Sequence, residues 1–382
     1  MSAAQGSTST SGKTVFFTGA TGYIGGTVLE SIINSNTPPK SITLLIRDEK
    51  KSQGFKSLES AKNKNIEIKT EIGSLEDSSL LEKLSSENDV TIHTADADHL
   101  EGVKSILKGQ KARKDKTGHR PILIETSGTG VLVDKAKGDY PNDVIYTDLN
   151  PTPATRDSPA LISMTEVPKE SPHRDVDLEI LEADKAGYIK SYIILPSTIW
   201  GKGVGEVFDK GLSNSFSDQI PTLIKAGLDR NRAGMVGEGK NIWPHVKITD
   251  LSNLYQLVYN KSTQQNPTIG HGLSGYYFGI SGEYTLYGAT SRIGQALVKY
   301  NLISTKETQP TSFNKEELDK YYNGSTYMGT NSRGVADRSK SIGWKPRFTD
   351  QEDLYKHIDR ETIRVEQEFG KEYKTKKFTS SY

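Results

Sequence analysis

From Thr14 onward, short β-branched and apolar runs (TVFFT, SITLLIR, IEIKTEI, DVTIHTA, PILIETS and SYIILPS) alternate with stretches of helical spacing. Runs this continuous suit strands covered on both faces, and their alternation with helices predicts βαβ units around a parallel sheet. After Pro196 the texture changes: glycines and aromatics become frequent, and HVKIT and YYFGI read as returning strands. The pattern predicts a Ser/Thr-rich disordered tail over 1–12 and a first domain over 13–200 that regains 241–280. A smaller irregular lobe is expected over 201–240 and 281–350. The charged stretch 351–382 reads as a solvated surface helix followed by a loose tail.

The sharpest chemical signal is TVFFTGATGYIGGTVLESII. A buried strand runs into Thr18-Gly19-Ala20-Thr21-Gly22-Tyr23-Ile24-Gly25, and an amphipathic helix follows. Gly19 permits a tight turn, Gly22 lets the backbone approach a pyrophosphate, and Gly25 lets helix and strand pack closely. The helix N-terminus supplies free N–H groups and a dipole that favour an anion. These residues predict an α/β fold of the Rossmann type, a doubly wound parallel sheet with a smaller C-terminal substrate-binding lobe. The next strand ends in Leu45-Ile46-Arg47-Asp48. An arginine there suits the 2′-phosphate of NADP, so Arg47, helped by Lys51, favours NADP(H) over NAD(H), with Asp48 on the ribose as the alternative.

Composition narrows the picture by exclusion. The 49 Lys+Arg and 48 Asp+Glu leave a net charge of +1 with mixed signs, which gives no nucleic-acid footprint. There is no cysteine, hence no disulfide framework and no thiolate metal site. His93 and His99 lie close in sequence without a third ligand at metal spacing, so no metal site is expected. MSAAQGSTSTSGK is not of signal-peptide type, and no run of about 18 apolar residues occurs, so the reading is cytoplasmic with no membrane partner.

TGATGYIGG, with its GxxGxxG spacing, resembles the short-chain dehydrogenase/reductase superfamily, in its extended and atypical branches of nucleotide-sugar epimerase/dehydratase-like proteins. Further segments agree in order: GSLEDSSLLEKLSSENDVTIHTA, ILIETSGTGVL, ILPSTIWG, GKNIWPHVKITDLSNLY and SIGWKPR. The overall texture is similar to fungal proteins described as NAD(P)-binding or epimerase-like. The resemblance implies that the glycine turn cradles a pyrophosphate, with Ser74 and Leu75 near the adenine, although the family usually has Asp where Ser74 stands. It also places Thr94 and Ala95 at the end of the fourth strand beside the cofactor, and Pro196, Ser197 and Ile199 at the nicotinamide. The active-site hydroxyl would be Ser127, with Thr129 as the fallback, and a homodimer is possible.

The family's usual catalytic pair is a tyrosine with a lysine four residues later on the helix between the fifth and sixth strands. Of the 18 tyrosines only Tyr373, with Lys377, has that spacing, and it lies in the tail. The expected place holds SPHRDVDLEILEADKAG. Here Ser171 is expected to cap a helix, Pro172 to occupy its first turn, and Asp175 and Asp177 to complement the dipole. His173 and Asp177 stand four apart on one face. In register with the family, His173 would point at the nicotinamide pocket, oriented by Asp177, and could give a proton to a carbonyl that receives hydride. The competing view is that both residues serve capping and packing. Lys185, Tyr188 and Tyr192 carry little weight, and His245 and Asp250 read as fixing a strand and capping the helix near Leu251. Trp200, Trp243, Arg333 and Trp344 could line a substrate pocket.

Three functional readings follow. The first is an NADP(H)-dependent oxidoreductase that reduces a carbonyl of a small molecule. The second is a sugar-nucleotide epimerase or dehydratase, and the third a non-catalytic NADP(H)-binding regulator. The missing tyrosine counts against the second and supports the third.

Overall fold

The computed structural model describes residues 12–149 and 161–370. Its centre is a seven-stranded sheet: β1 (Thr14–Thr18), β2 (Ser41–Ile46), β3 (Glu67–Ile72), β4 (Val90–His93), β5 (Ile122–Thr126), β6 (Lys190–Pro196) and β7 (Tyr276–Gly279). The order is β7-β6-β5-β4-β1-β2-β3 and every neighbouring pair is parallel. This is a doubly wound Rossmann-type sheet. It reverses direction between β1 and β4, where loops diverge and leave a crevice at the carboxyl ends of the strands. β2, β4 and β5 are buried throughout, as their unbroken apolar runs require, whereas β3 alternates and forms an edge.

Helices α1 (Tyr23–Ile33), α2 (Ser78–Glu87), α3 (Leu100–Thr117) and α4 (Arg174–Lys185) follow β1, β3, β4 and β5. α2 packs on α3 and α3 on α4. α5 (Gln219–Asp229) belongs to the lobe, whereas α6 (Ile248–Ser262) packs on α1. The lobe is completed by α7 (Leu286–Lys299) and α8 (Gln351–Phe369), and the three lobe helices pack on one another around a second apolar core. No helix among the described residues is long and apolar enough to cross a membrane.

Five expectations need correction. YYFGI does return to the main sheet as β7, but HVKIT falls in strand Ile242–Lys247 of a separate three-stranded sheet with Thr198–Trp200 and Gly282–Thr285. There His245 accepts a hydrogen bond at its Nδ1 from the Trp200 indole at 3.2 Å, and α6 starts at Ile248, earlier than Leu251. The C-terminal helix is no mere surface element: Leu354, Ile358 and Val365 are fully buried in the lobe core. Conversely Val207, Leu212 and Trp344, from stretches assigned to the lobe, join the core of the main sheet. Finally, α4 begins at Arg174, not at Pro172, because the Arg174 N–H closes a turn onto the Ser171 carbonyl at 3.2 Å. His173 takes the cap position in the left-handed region, φ +63°, so Ser171 is not the cap.

Candidate active site

The glycine turn behaves as its chemistry requires. Gly19 has φ +82°, a conformation L side chains rarely adopt, and its carbonyl accepts from Gly22 N–H at 2.9 Å. A Cβ on Gly25 would lie 2.1 Å from the Gly19 carbonyl oxygen, so only glycine lets α1 approach β1. α1 starts at Tyr23 with no acidic residue in its first turn, leaving its positive end free for an anion. The Thr18 hydroxyl, at the base of the turn, is buried without a partner. Cradle, orphaned donor and helix end together fit a dinucleotide.

A cleft runs from this turn in both directions. On one side a cavity of about 430 Å³ is lined by Thr18, Gly19, Thr21, Gly22, Arg47, Ser74, Leu75, Thr94 and Ala95, together with Glu76, Asp96 and His99. Arg47 is exposed there, whereas the neighbouring Asp48 carboxylate accepts from Lys50 N–H at 3.0 Å and caps a turn. Lys51 does not join them, a correction to the expected pair: its ammonium donates to the Leu212 carbonyl at 2.8 Å. Ser74 donates through its backbone N–H to the Asp77 carboxylate at 2.6 Å, which closes the turn before α2.

On the other side a cavity of about 410 Å³ is lined by Gly22, Tyr23, Ile24, Thr94, Ala95, Ser197 and Ile199, and closed by Asn214, Phe216 and Ser217. Pro196 does not line it; it ends β6 beside Gly279. The residues around 214 went unnoticed in the sequence because they belong to no periodic element. The Ser213 hydroxyl donates to the Ala20 carbonyl at 2.7 Å and Asn214 N–H to Thr21 at 3.0 Å, strapping this segment across the glycine turn.

The expected catalytic residues gather just beyond, where β5 turns at Ser127-Gly128-Thr129-Gly130; none of Ser127, Thr129, His173 or Asp177 lines either cavity. The ring of His173 packs on this turn: a Cβ at Gly128 or at Gly130 would fall 3.1 or 3.2 Å from its Nε2. The same Gly130 position would meet the Tyr327 hydroxyl at 2.4 Å, so the lobe brings a phenol to the ring's neighbourhood. Nδ1 of His173 is hydrogen-bonded at 2.7 Å to Asp98, in the loop after β4. The orienting carboxylate is therefore Asp98 and not Asp177, because His173 is the cap of α4 and turns away from the helix. Sequence could have hinted at Asp98: TADADHL puts three acids or imidazoles directly after the fourth strand.

Asp177 lies beneath, fully buried, with neither oxygen in a hydrogen bond of good geometry among the described residues. Burial lifts its carboxyl to about 7, against the opposing pull of His173 and the nearby Ser127 hydroxyl. The Thr129 hydroxyl is also buried and unpartnered, and the buried Ser127 hydroxyl lies beside Asp177. One layer deeper, His93 and Glu125 face each other across β4 and β5 at 2.8 Å, both fully buried. Burial disfavours charge on His93, but the Glu125 carboxylate outweighs it and raises the imidazole above its usual range. His93 is thus a structural partner of Glu125, and His99 caps α3 by accepting from Gly102 N–H at 2.9 Å.

The remaining candidates are structural. Lys185 is exposed beside Glu182, and Tyr192 is buried in β6. Arg333 is held by Glu283 at 2.9 Å through two bonds, and Trp344 donates to the Asp250 carbonyl at 2.7 Å. Trp200 and Trp243 are buried, the latter edge-on to Tyr327 at 5.4 Å between ring centres. Tyr373 and Lys377 lie outside the described residues.

Comparison with known proteins agrees with this geometry. Residues 15–107, which hold the glycine turn and β1–β4, match a family described as polysaccharide biosynthesis protein. An oxidase, ucsJ, from an Acremonium species is 26% identical over 348 residues, covering 87% of this chain and 93% of the oxidase. An uncharacterized protein of Schizosaccharomyces pombe is 26% identical over 65% of this chain and 71% of its own length. Among solved structures, UDP-glucuronic acid 4-epimerase of Bacillus cereus, in complex with UDP-glucuronic acid and NAD, superposes with a TM-score of 0.58 at 12% identity, over 93% of this chain and 100% of the epimerase. dTDP-glucose 4,6-dehydratase of Bacillus anthracis, in complex with NAD, gives 0.57 at 15% identity, over 93% and 97%. In its sheet order the chain shares the fold of these epimerase and dehydratase structures.

Proposed function

We propose that this chain is an NADP(H)-dependent oxidoreductase that reduces a carbonyl group of a small molecule, with His173 in place of the absent tyrosine and lysine. The observation that carries the reading is the His173–Asp98 pair at the active-site turn. A carboxylate on Nδ1 fixes the ring orientation and leaves Nε2 toward Gly128 and Gly130. The residues fit a nicotinamide dinucleotide, whose chemistry when bound is hydride transfer. Gly19, Gly22 and Gly25 would hold its pyrophosphate, Arg47 its 2′-phosphate, and Ser197 and Ile199 would flank its nicotinamide end.

In this scheme His173 donates a proton from Nε2 to the oxygen of the substrate carbonyl, and Asp98 holds the ring in place for that donation. The segment around Asn214 and Phe216 covers the cleft and excludes water. Likeness to an oxidase over nearly the whole chain favours net redox chemistry over epimerisation, in which the cofactor returns to its starting state.

The test is NADPH consumption with a panel of aldehydes and ketones, and NADP⁺ reduction with the matching alcohols. Saturable turnover that falls in His173→Gln supports the reading. Cofactor binding without consumption in either direction would replace it with the regulator reading.

A further inference from the structure

A third cavity, of about 550 Å³, lies between the N-terminus of α6, the end of strand Thr198–Trp200 and one face of α8. We propose that this cavity, walled by Lys202, Lys247, Lys356 and Arg360, binds a phosphate-bearing small molecule. It is separate from the cofactor cleft, with which it shares no lining residue. Its volume is in the range of small-molecule sites.

Cations outnumber acids in the walls of this cavity. None of these four side chains makes an ion pair or hydrogen bond among the described residues. Of the two acids in the walls, Glu361 is taken by Arg364 through bonds of 2.7 and 2.8 Å, which leaves Asp353 as the one free carboxylate against four cations. Lys356, Arg360 and Arg364 recur at every fourth position and so share one face of α8. Opposite them, half-buried Lys247 caps α6 and rests its ammonium 3.6 Å from the centre of the Phe348 ring. The positive end of α6 adds to the same field. The Thr249 hydroxyl, in the wall, is buried and unpartnered. Lys202, Lys356 and Arg360 stand exposed around the mouth of this space and Lys247 is half-buried in it, and ammonium and guanidinium groups with a hydroxyl are the donors that phosphate takes.

Two contacts join this cavity to the cofactor cleft. The Tyr23 hydroxyl, from the cleft wall, donates to the Gly201 carbonyl at 2.6 Å, and the Arg364 guanidinium stacks 3.8 Å from the ring centre of Phe216. The phosphate site therefore backs directly onto the segment that covers the dinucleotide.

The experiment is calorimetric titration of the full chain with inorganic pyrophosphate at fixed ionic strength in chloride, with and without saturating NADPH. With NADPH saturating the glycine turn, wild type is expected still to show one saturable pyrophosphate site. In Lys247→Met/Arg360→Gln affinity should fall by about tenfold or more. Lys356→Ala, at an exposed position, should weaken binding several-fold and guards against misfolding of the double variant. Three results would overturn the proposal: no saturable heat in wild type, equal affinity in the double variant, or binding abolished by NADPH, which would place the anion on the glycine turn.

Discussion

One carboxylate oxygen of Asp98 accepts both from the His173 backbone N–H at 3.2 Å and at 2.7 Å from the ring Nδ1. Two bonds to one acceptor hold a residue whose left-handed backbone costs roughly 1–2 kcal/mol for an L side chain, so Asp98 offsets strain as well as aiming the ring. Replacing His173 by Gln should lower turnover by about 10²–10⁴-fold, the usual worth of a positioned proton donor. Asp98→Asn should cost less, since it loosens the ring without removing it. NADPH affinity should change little in either, because neither residue lines the cleft. Steady-state rates beside a fluorescence titration of NADPH check this, and full turnover in a folded His173→Gln protein would remove the histidine from the chemistry.

Asp177 makes a pH prediction of definite sign. Burial raises its carboxyl to about 7 in the folded protein, whereas an unfolded aspartate titrates near 3.9. Between those values the folded chain keeps a proton that the unfolded chain has released. Stability from this group therefore falls as pH rises from about 4 to 7 and is level on either side, by at most ~4 kcal/mol. Asp177→Asn should match wild type at pH 4 and exceed it at pH 8 by about 1–4 kcal/mol. Urea unfolding midpoints across that range measure it, and a wild type that loses no more than the variant would show Asp177 ionised at no cost.

How much of this was legible follows from the range of each interaction. β1, the glycine turn and α1 could be read because their signals are local: an unbroken apolar run, then Gly19, Gly22 and Gly25 at fixed spacing. Arg47 could be read for the same reason, standing one residue after β2. The place of His173 beside the turn after β5 was legible, but its hydrogen-bond partner was not. Helical spacing pointed to Asp177, whereas Asp98 lies 75 residues away in sequence and reaches the ring only through sheet order. Lys51 was misread similarly, its acceptor Leu212 being 161 residues distant. In α8 the abundance of charge hid the buried Leu354, Ile358 and Val365, a stripe too narrow to stand out from the composition.

Arg47 should set cofactor choice. It is exposed at the cleft edge next to Ser74 and Leu75, while Asp48 is occupied at its own turn. A charge-assisted bond is worth about 1.5–3 kcal/mol, so Arg47→Ala should weaken NADPH by about 10–100-fold and NADH by much less. Parallel titrations with both cofactors decide it, and equal losses would mean that the arginine reads no 2′-phosphate.

The glycines of the turn should not be equivalent. A Cβ at Gly25 would meet backbone, the Gly19 carbonyl oxygen at 2.1 Å, and neither α1 nor β1 can move away without breaking the core. At Gly22 the nearest atom is the same oxygen at 3.2 Å, a contact that a shift of a few tenths of an ångström relieves. Gly25→Ala should therefore lose stability, by roughly 1–3 kcal/mol as overpacking does, and lose cofactor binding with it. Gly22→Ala should keep most of its stability and lose binding selectively, because its methyl projects where the pyrophosphate must approach the backbone. Thermal melts paired with NADPH titrations separate the two effects. A Gly22→Ala protein that binds NADPH as wild type does would mean that the dinucleotide does not sit on this turn.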